Sequence, residues 1–247
     1  MLRRVVHFAG FQFAEYVRSG RIVIELVATV LFWGLFLRQY PVQIEQFFSL
    51  AGILTLLMTL YTSTALLGLG ERPQGYVLLT RPLGRSGYIL GLYLVTVIVV
   101  SLMFVLLTSV TLIYDRGVFR SEFGLSLGEI AKGALPLLLN IALLGALMTL
   151  LSSLVLTNTW RLVLLAVLAI ALYSNAWHLW EVYRYIEPFQ SLFSWPVYPA
   201  VAGFKLATTR DYSSGAIWIP LAQAALTVLL LSFALSSFRR RDIILKS

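Results

Sequence analysis

The sequence predicts an all-α polytopic membrane protein, and three observations carry that prediction. Of 247 residues, 59% are apolar and only 12% charged, whereas a soluble globular domain carries about 25% charge. Mean hydropathy is +0.86. Charge-free runs recur along the chain at roughly the 20 residues a helix needs to cross a hydrocarbon core of about 30 Å. The expected architecture is six transmembrane helices with an N-terminal amphipathic elbow helix and a re-entrant helical segment between spans five and six, all in one transmembrane domain over 1-247. What remains outside the spans is too short for a separate soluble catalytic domain.

The elbow covers residues 1-20. At 100° per residue, Arg3, Arg4, His7, Glu15 and Arg18 fall on one side and Val6, Ala9, Phe13, Tyr16 and Val17 on the other, with Phe11 as the exception. Such a helix suits the membrane interface. It does not read as a cleaved signal peptide, because the apolar run starts late and no small-residue cleavage site follows. The first span lies between Arg21 and Arg38, 16 residues or about 24 Å of helix, so its arginines must snorkel or the bilayer must thin. The second span runs from Phe47 to Leu69, and the third from Ser86 to Tyr114 without a charge. Ser126-Leu127-Gly128-Glu129 is a capping-box pattern that starts the helix leading into the fourth span, Ala134 to Leu156. The fifth span is Leu162 to Trp180 and the sixth Tyr212 to Phe238. Residues 181-211 carry many aromatics, together with Pro188, Pro196 and Pro199, and form the expected re-entrant segment.

Charge then orients the chain. With the N-terminus inside, twelve of the 19 Lys and Arg residues fall in inner segments, while seven of the 11 Asp and Glu residues fall outside. Cytoplasmic flanks carry such an excess, which puts both termini in the cytoplasm of a cell inner (plasma) membrane. The net charge of +8 is accordingly a topology signal that also attracts anionic lipid, and it gives no indication of nucleic acid as a partner. With no cysteine and only His7 and His178, no metal site is expected.

The inner loop at 70-85 is richer than a connector requires. An apolar stretch, Tyr76 to Leu79, sits between Glu71-Arg72-Pro73-Gln74-Gly75 and Arg81-Pro82-Leu83-Gly84-Arg85, and Tyr88-Ile89-Leu90-Gly91 follows into the third span. This pattern resembles the permease subunits of type-2 ATP-binding-cassette exporters. The matching positions are Glu71, Gly75, Arg81, Pro82, Arg85, Tyr88 and Gly91, with Phe238-Arg239-Arg240-Arg241-Asp242-Ile243 similar to the family's closing signature. Arg72-Pro73-Gln74 departs from the family pattern, which more often has charged or small residues there.

The resemblance implies a coupling loop that docks on an ATPase through Glu71, Arg72, Gly75, Tyr76, Leu79, Arg81, Pro82 and Arg85. It also implies partners, namely a dimer of ABC ATPase subunits and a second permease subunit, identical or related. The chain has no phosphate loop of its own, so ATP and magnesium belong to the partner and this chain has no cofactor. The implied cargo is a lipid, glycolipid, peptide or other amphipathic molecule moved outward, and the chain itself is not an enzyme. A motif-free channel or a scaffold subunit is the alternative reading of the same architecture.

Polar groups within spans are functional candidates by default. Glu25 follows Arg21 by four residues, a spacing that makes an i,i+4 pair near the inner surface. His178 and Glu181 share a face at the outer end of the fifth span and are candidates for a pathway or gate, as are Asn140 and Asn175, neutral amides suited to bonding a neighbouring helix. Ser152-Ser153 and Thr62-Ser63-Thr64 suit close packing or a path lining. No ion-binding constellation or protease motif appears, which argues against a gradient-driven transporter and a membrane enzyme.

Overall fold

The computed structural model describes residues 2–39, 43–70, 84–115, 127–152, 155–156, 159–160, 163, 198–213 and 215–240. Seven helices lie among them, with no strand: α1 Leu2–Arg18, α2 Arg21–Phe36, α3 Ile44–Gly70, α4 Gly84–Tyr114, α5 Leu127–Leu150, α6 Tyr198–Thr209 and α7 Trp218–Arg240. Four of these, α3, α4, α5 and α7, are long and apolar enough to cross a membrane, and α1 with α2, bent by 72°, makes a fifth if the pair is one span. The described residues thus form an all-α polytopic membrane bundle. The fifth expected span, Leu162 to Trp180, lies almost wholly outside the described residues, and so does most of the expected re-entrant segment.

The third expected span matches α4 to within two residues, because a backbone in hydrocarbon must close its hydrogen bonds within the helix and so runs the length of the apolar stretch. The fourth is shifted. Instead of Ala134 to Leu156, α5 occupies Leu127–Leu150, and Leu151 and Ser152 turn after it. The sixth starts at Trp218 and not at Tyr212. Asp211 accepts a hydrogen bond from the Ser213 N–H at 2.8 Å and Gly215 takes a left-handed φ of 90°, so this stretch is a turn. The Ser213 side chain and N–H, both bonded to it, hold the Asp211 carboxyl below the usual carboxylate range.

Gly20, at φ 75°, makes the bend between α1 and α2. The face that α1 buries is Val5, Phe8, Ala9, Gln12 and Tyr16, while Val6 and Val17 are 57% and 40% exposed. The packed stripe is therefore rotated from the expected one, because α1 packs against α4 and α2. Phe8 is seated by the Tyr88-x-x-Gly91 pair. The Phe8 and Tyr88 rings are 5.3 Å apart, and a Cβ at Gly91 would come within 2.3 Å of Phe8 Cδ1.

Helix α5 sits at the centre, against α7, α6, α3 and α4. Its largest apolar cluster joins Phe47, Phe48 and Leu54 of α3, Phe104 and Leu107 of α4, and Leu137 and Ile141 of α5. A second cluster, toward the α1 end, joins Phe8, Leu67, Ile89, Leu150 and Phe238. The bundle thus has an α1 end and a far end, where α3 and α5 begin.

Candidate functional site

Most of the residues that sequence reasoning singles out lie outside the described residues: Glu71, Arg72, Gly75, Tyr76, Leu79, Arg81, Pro82, Asn175, His178 and Glu181. Arg85 falls in the first turn of α4. Of the four pathway or gate candidates His178, Glu181, Asn140 and Asn175 only Asn140 is described, and it belongs to one of three polar clusters that connect helices among the described residues.

The first of these lies in the central layer. Asn140 Nδ2 donates to the Ala200 carbonyl of α6 at 2.9 Å, and Asn140 Oδ1 accepts from Gln223 Nε2 of α7 at 2.7 Å. Gln223 Nε2 also donates to the Pro136 carbonyl at 3.1 Å. The two amides tie three helices together, and Gln223 is fully buried. Gly203 makes the room, since a Cβ there would stand 1.9 Å from Gln223 Nε2. Gln223 escaped the sequence reading, although it is a lone amide in the apolar run of α7 and meets the criterion that selects Asn140.

Pro136 explains a further contact. A proline inside a helix has no N–H for the carbonyl four residues earlier, which here is Lys132. Tyr212 supplies the missing donor, its hydroxyl reaching the Lys132 carbonyl at 2.6 Å. Tyr212→Phe is therefore expected to cost up to about 1 kcal/mol, the net worth of one partly exposed hydrogen bond. A thermal midpoint unchanged from wild type would mean that water replaces the hydroxyl.

The second cluster closes the far end. Arg210 follows the C-terminus of α6 at φ 56°, a left-handed conformation uncommon for a side-chain-bearing residue. Its guanidinium lies 3.7 Å from Glu45 in the first turn of α3 and 3.2 Å from Glu129 in the first turn of α5, and Lys132 pairs with Glu129 at 2.9 Å. Each acid stands at a helix N-terminus and the arginine at a C-terminus, where backbone dipoles favour those signs. Glu45 is 71% exposed, so solvent weakens that pair. The Arg210 side chain, at 11% exposed, is the least exposed of the four.

The third cluster lies at the α1 end and differs from the expectation for Glu25. Glu25 does not pair with Arg21. Arg21 Nη1 donates to the Ala65 carbonyl of α3 at 2.8 Å, and Glu25 Oε1 accepts from Tyr16 of α1 at 2.7 Å and from the Thr62 hydroxyl of α3. The reason is position on the helix. Glu25 turns into the bundle and is fully buried, while Arg21 reaches a carbonyl of the next helix.

Most threonines are satisfied at home. Thr29, Thr59, Thr64, Thr96, Thr108, Thr111, Thr149 and Thr227 each donate to the carbonyl four residues earlier. Within Thr62-Ser63-Thr64 only Thr62 reaches another helix, Ser63 is buried without a partner and Thr64 is exposed. Ser152 is buried, its hydroxyl also without a partner.

A cleft of about 440 Å³ opens between α6 and the start of α7, lined by Tyr198, Pro199, Ala202, Trp218 and Ile219 among others. Among the described residues no three His, Asp or Glu side chains gather as metal ligands would. Comparison with family models, with curated proteins and with solved structures finds no match.

Proposed function

We propose that this chain is the membrane-spanning subunit of an exporter driven by ATP hydrolysis on a separate ATPase dimer, working as a pair of such subunits. The observation that carries the reading is the sequence of the inner loop, Glu71 through Gly91, with its apolar turn held between charged and turn-forming ends. The multi-span bundle supports it as a frame in which such a loop moves the helices on either side of it.

The loop joins the end of α3 to the start of α4. Glu71 and Arg81 anchor it, and Tyr76 to Leu79 fill a groove on the ATPase, as an amphipathic segment does in helix-in-groove recognition. Motion of the docked loop enters both helices at once. It then reaches α1 through Tyr88 and Gly91, which hold Phe8, and through Arg21, which holds the last turns of α3. The cargo is an amphipathic molecule of the lipid, glycolipid or peptide class, because few charges line the spans.

The test is to tag the chain, purify it from its native membrane in mild detergent and measure vanadate-sensitive ATP hydrolysis in the eluate. Hydrolysis is expected to accompany the wild-type chain and to fall at least about tenfold with Glu71→Ala or Arg81→Ala at equal chain recovery, equivalent to about 1.4 kcal/mol of lost docking energy. An eluate without ATPase would overturn the reading in favour of a channel or scaffold.

A further inference from the structure

Glu25 is fully buried, and the two hydroxyls that reach it both donate to Oε1. Oε2 has no partner, and neither does the hydroxyl of Ser63, which follows Thr62 on α3 and is 1% exposed. The groups facing this carboxyl offer no compensating charge. From α1 comes Tyr16, while Glu15 and Arg18 are exposed. From α3 comes Thr62, and α4 brings Val95 and Val99 to the apolar cluster around Tyr16. On α2 itself Arg21 is committed to the Ala65 carbonyl. An ionised carboxylate in an apolar interior is strongly unfavourable unless a positive charge joins it.

We propose that the open side of Glu25 is a monovalent-cation site, at which Oε2 takes either a proton or an alkali metal ion beside the Ser63 turn of α3. The bound charge locks α1, α2 and α3 together, because Tyr16 and Thr62 then hold a neutral unit between them. A proton bonds to Oε2 alone and an alkali ion needs further oxygens beside it, but each brings one positive charge to the same carboxylate, and the experiment separates them. The site needs no ATPase, so its fate is independent of the exporter reading.

The test is the thermal midpoint of the purified full-length chain in detergent, measured in two series. In choline chloride at constant ionic strength, a proton site makes the midpoint fall as pH rises, since the cation is lost and a bare carboxylate remains. At fixed pH, an alkali-ion site makes the midpoint rise when sodium, lithium or potassium replaces choline. A shift of roughly 3 °C or more is expected in one series. Glu25→Gln, which keeps the Oε1 acceptor and carries no charge, is expected to abolish it, while Thr64→Val on the exposed side of α3 leaves it intact. A wild-type chain flat in both series, or a dependence that survives in Glu25→Gln, would overturn the proposal. Should Glu25→Gln fail to fold, labelling of the wild-type chain with dicyclohexylcarbodiimide, read by peptide mass, takes its place. Labelling of Glu25 that declines with rising pH or with alkali chloride supports the site. Absence of label at Glu25, or label that follows neither variable, rejects it, with buried Asp115 as the comparator within the same chain.

Discussion

Gly133→Ala is expected to destabilise the protein by roughly 1–3 kcal/mol, the cost of overpacking a filled core. The sign is the test. In an open helix interior the same change stabilises by up to about 1 kcal/mol, because alanine is the better helix former. At Gly133 a Cβ would stand 2.3 Å from two atoms of the Phe48 ring. Phe48 is fully buried and set edge-on to Phe47 at 5.2 Å, so the ring has nowhere to go. Gly34→Ala, where nothing lies within 4 Å, is the control and is expected to leave the thermal midpoint unchanged or raised. Equal behaviour of the two variants would mean that α3 and α5 are not packed as described.

Gln223→Leu is expected to cost about 2 kcal/mol. Interhelical hydrogen bonds in membranes average only about 0.6 kcal/mol, with about 1.7 at the top of the range. This change removes two of them and also strands Asn140 Oδ1 in the interior, which adds about 1 kcal/mol or more. Asn140→Leu removes the same contact from the other side and also releases the Ala200 carbonyl. The double variant is expected to lose less than the sum of the two, by about 1 kcal/mol. Additive losses in unfolding experiments would show that the amides act separately.

The helices were legible in the sequence wherever a single physical rule sets them. A charge-free run must be helical in hydrocarbon, and α4 follows its run closely. Glu129 of the Ser126–Glu129 pattern falls in the first turn of α5. Contacts between helices were not legible, since they depend on rotations about helix axes that composition does not set. The stripe that α1 buries is the clearest case, because Val5 and Gln12 are inside and Val6 outside. Glu25 is another. Its spacing from Arg21 allowed a pair, yet tertiary packing gave each a different partner on α3. Tyr212 had a readable cue in Pro136, whose missing N–H leaves the Lys132 carbonyl calling for a donor from elsewhere, and Gln223 had one in being a lone amide within an apolar run. Arg210 had none, because its role rests on the meeting of three helix ends.

The threonines that bond within their own helices have a consequence for biogenesis. Such a helix leaves the ribosome and enters lipid with its hydroxyls already satisfied, so its insertion waits for nothing. Glu25, Asn140 and Gln223 are different. Tyr16 precedes Glu25 by 9 residues, but Thr62 is synthesised 37 residues after it. Asn140 waits 60 residues for Ala200 and 83 for Gln223. Chain order therefore sets a schedule, in which the α1–α2–α3 corner closes early and the centre of the bundle is completed only when α7 arrives.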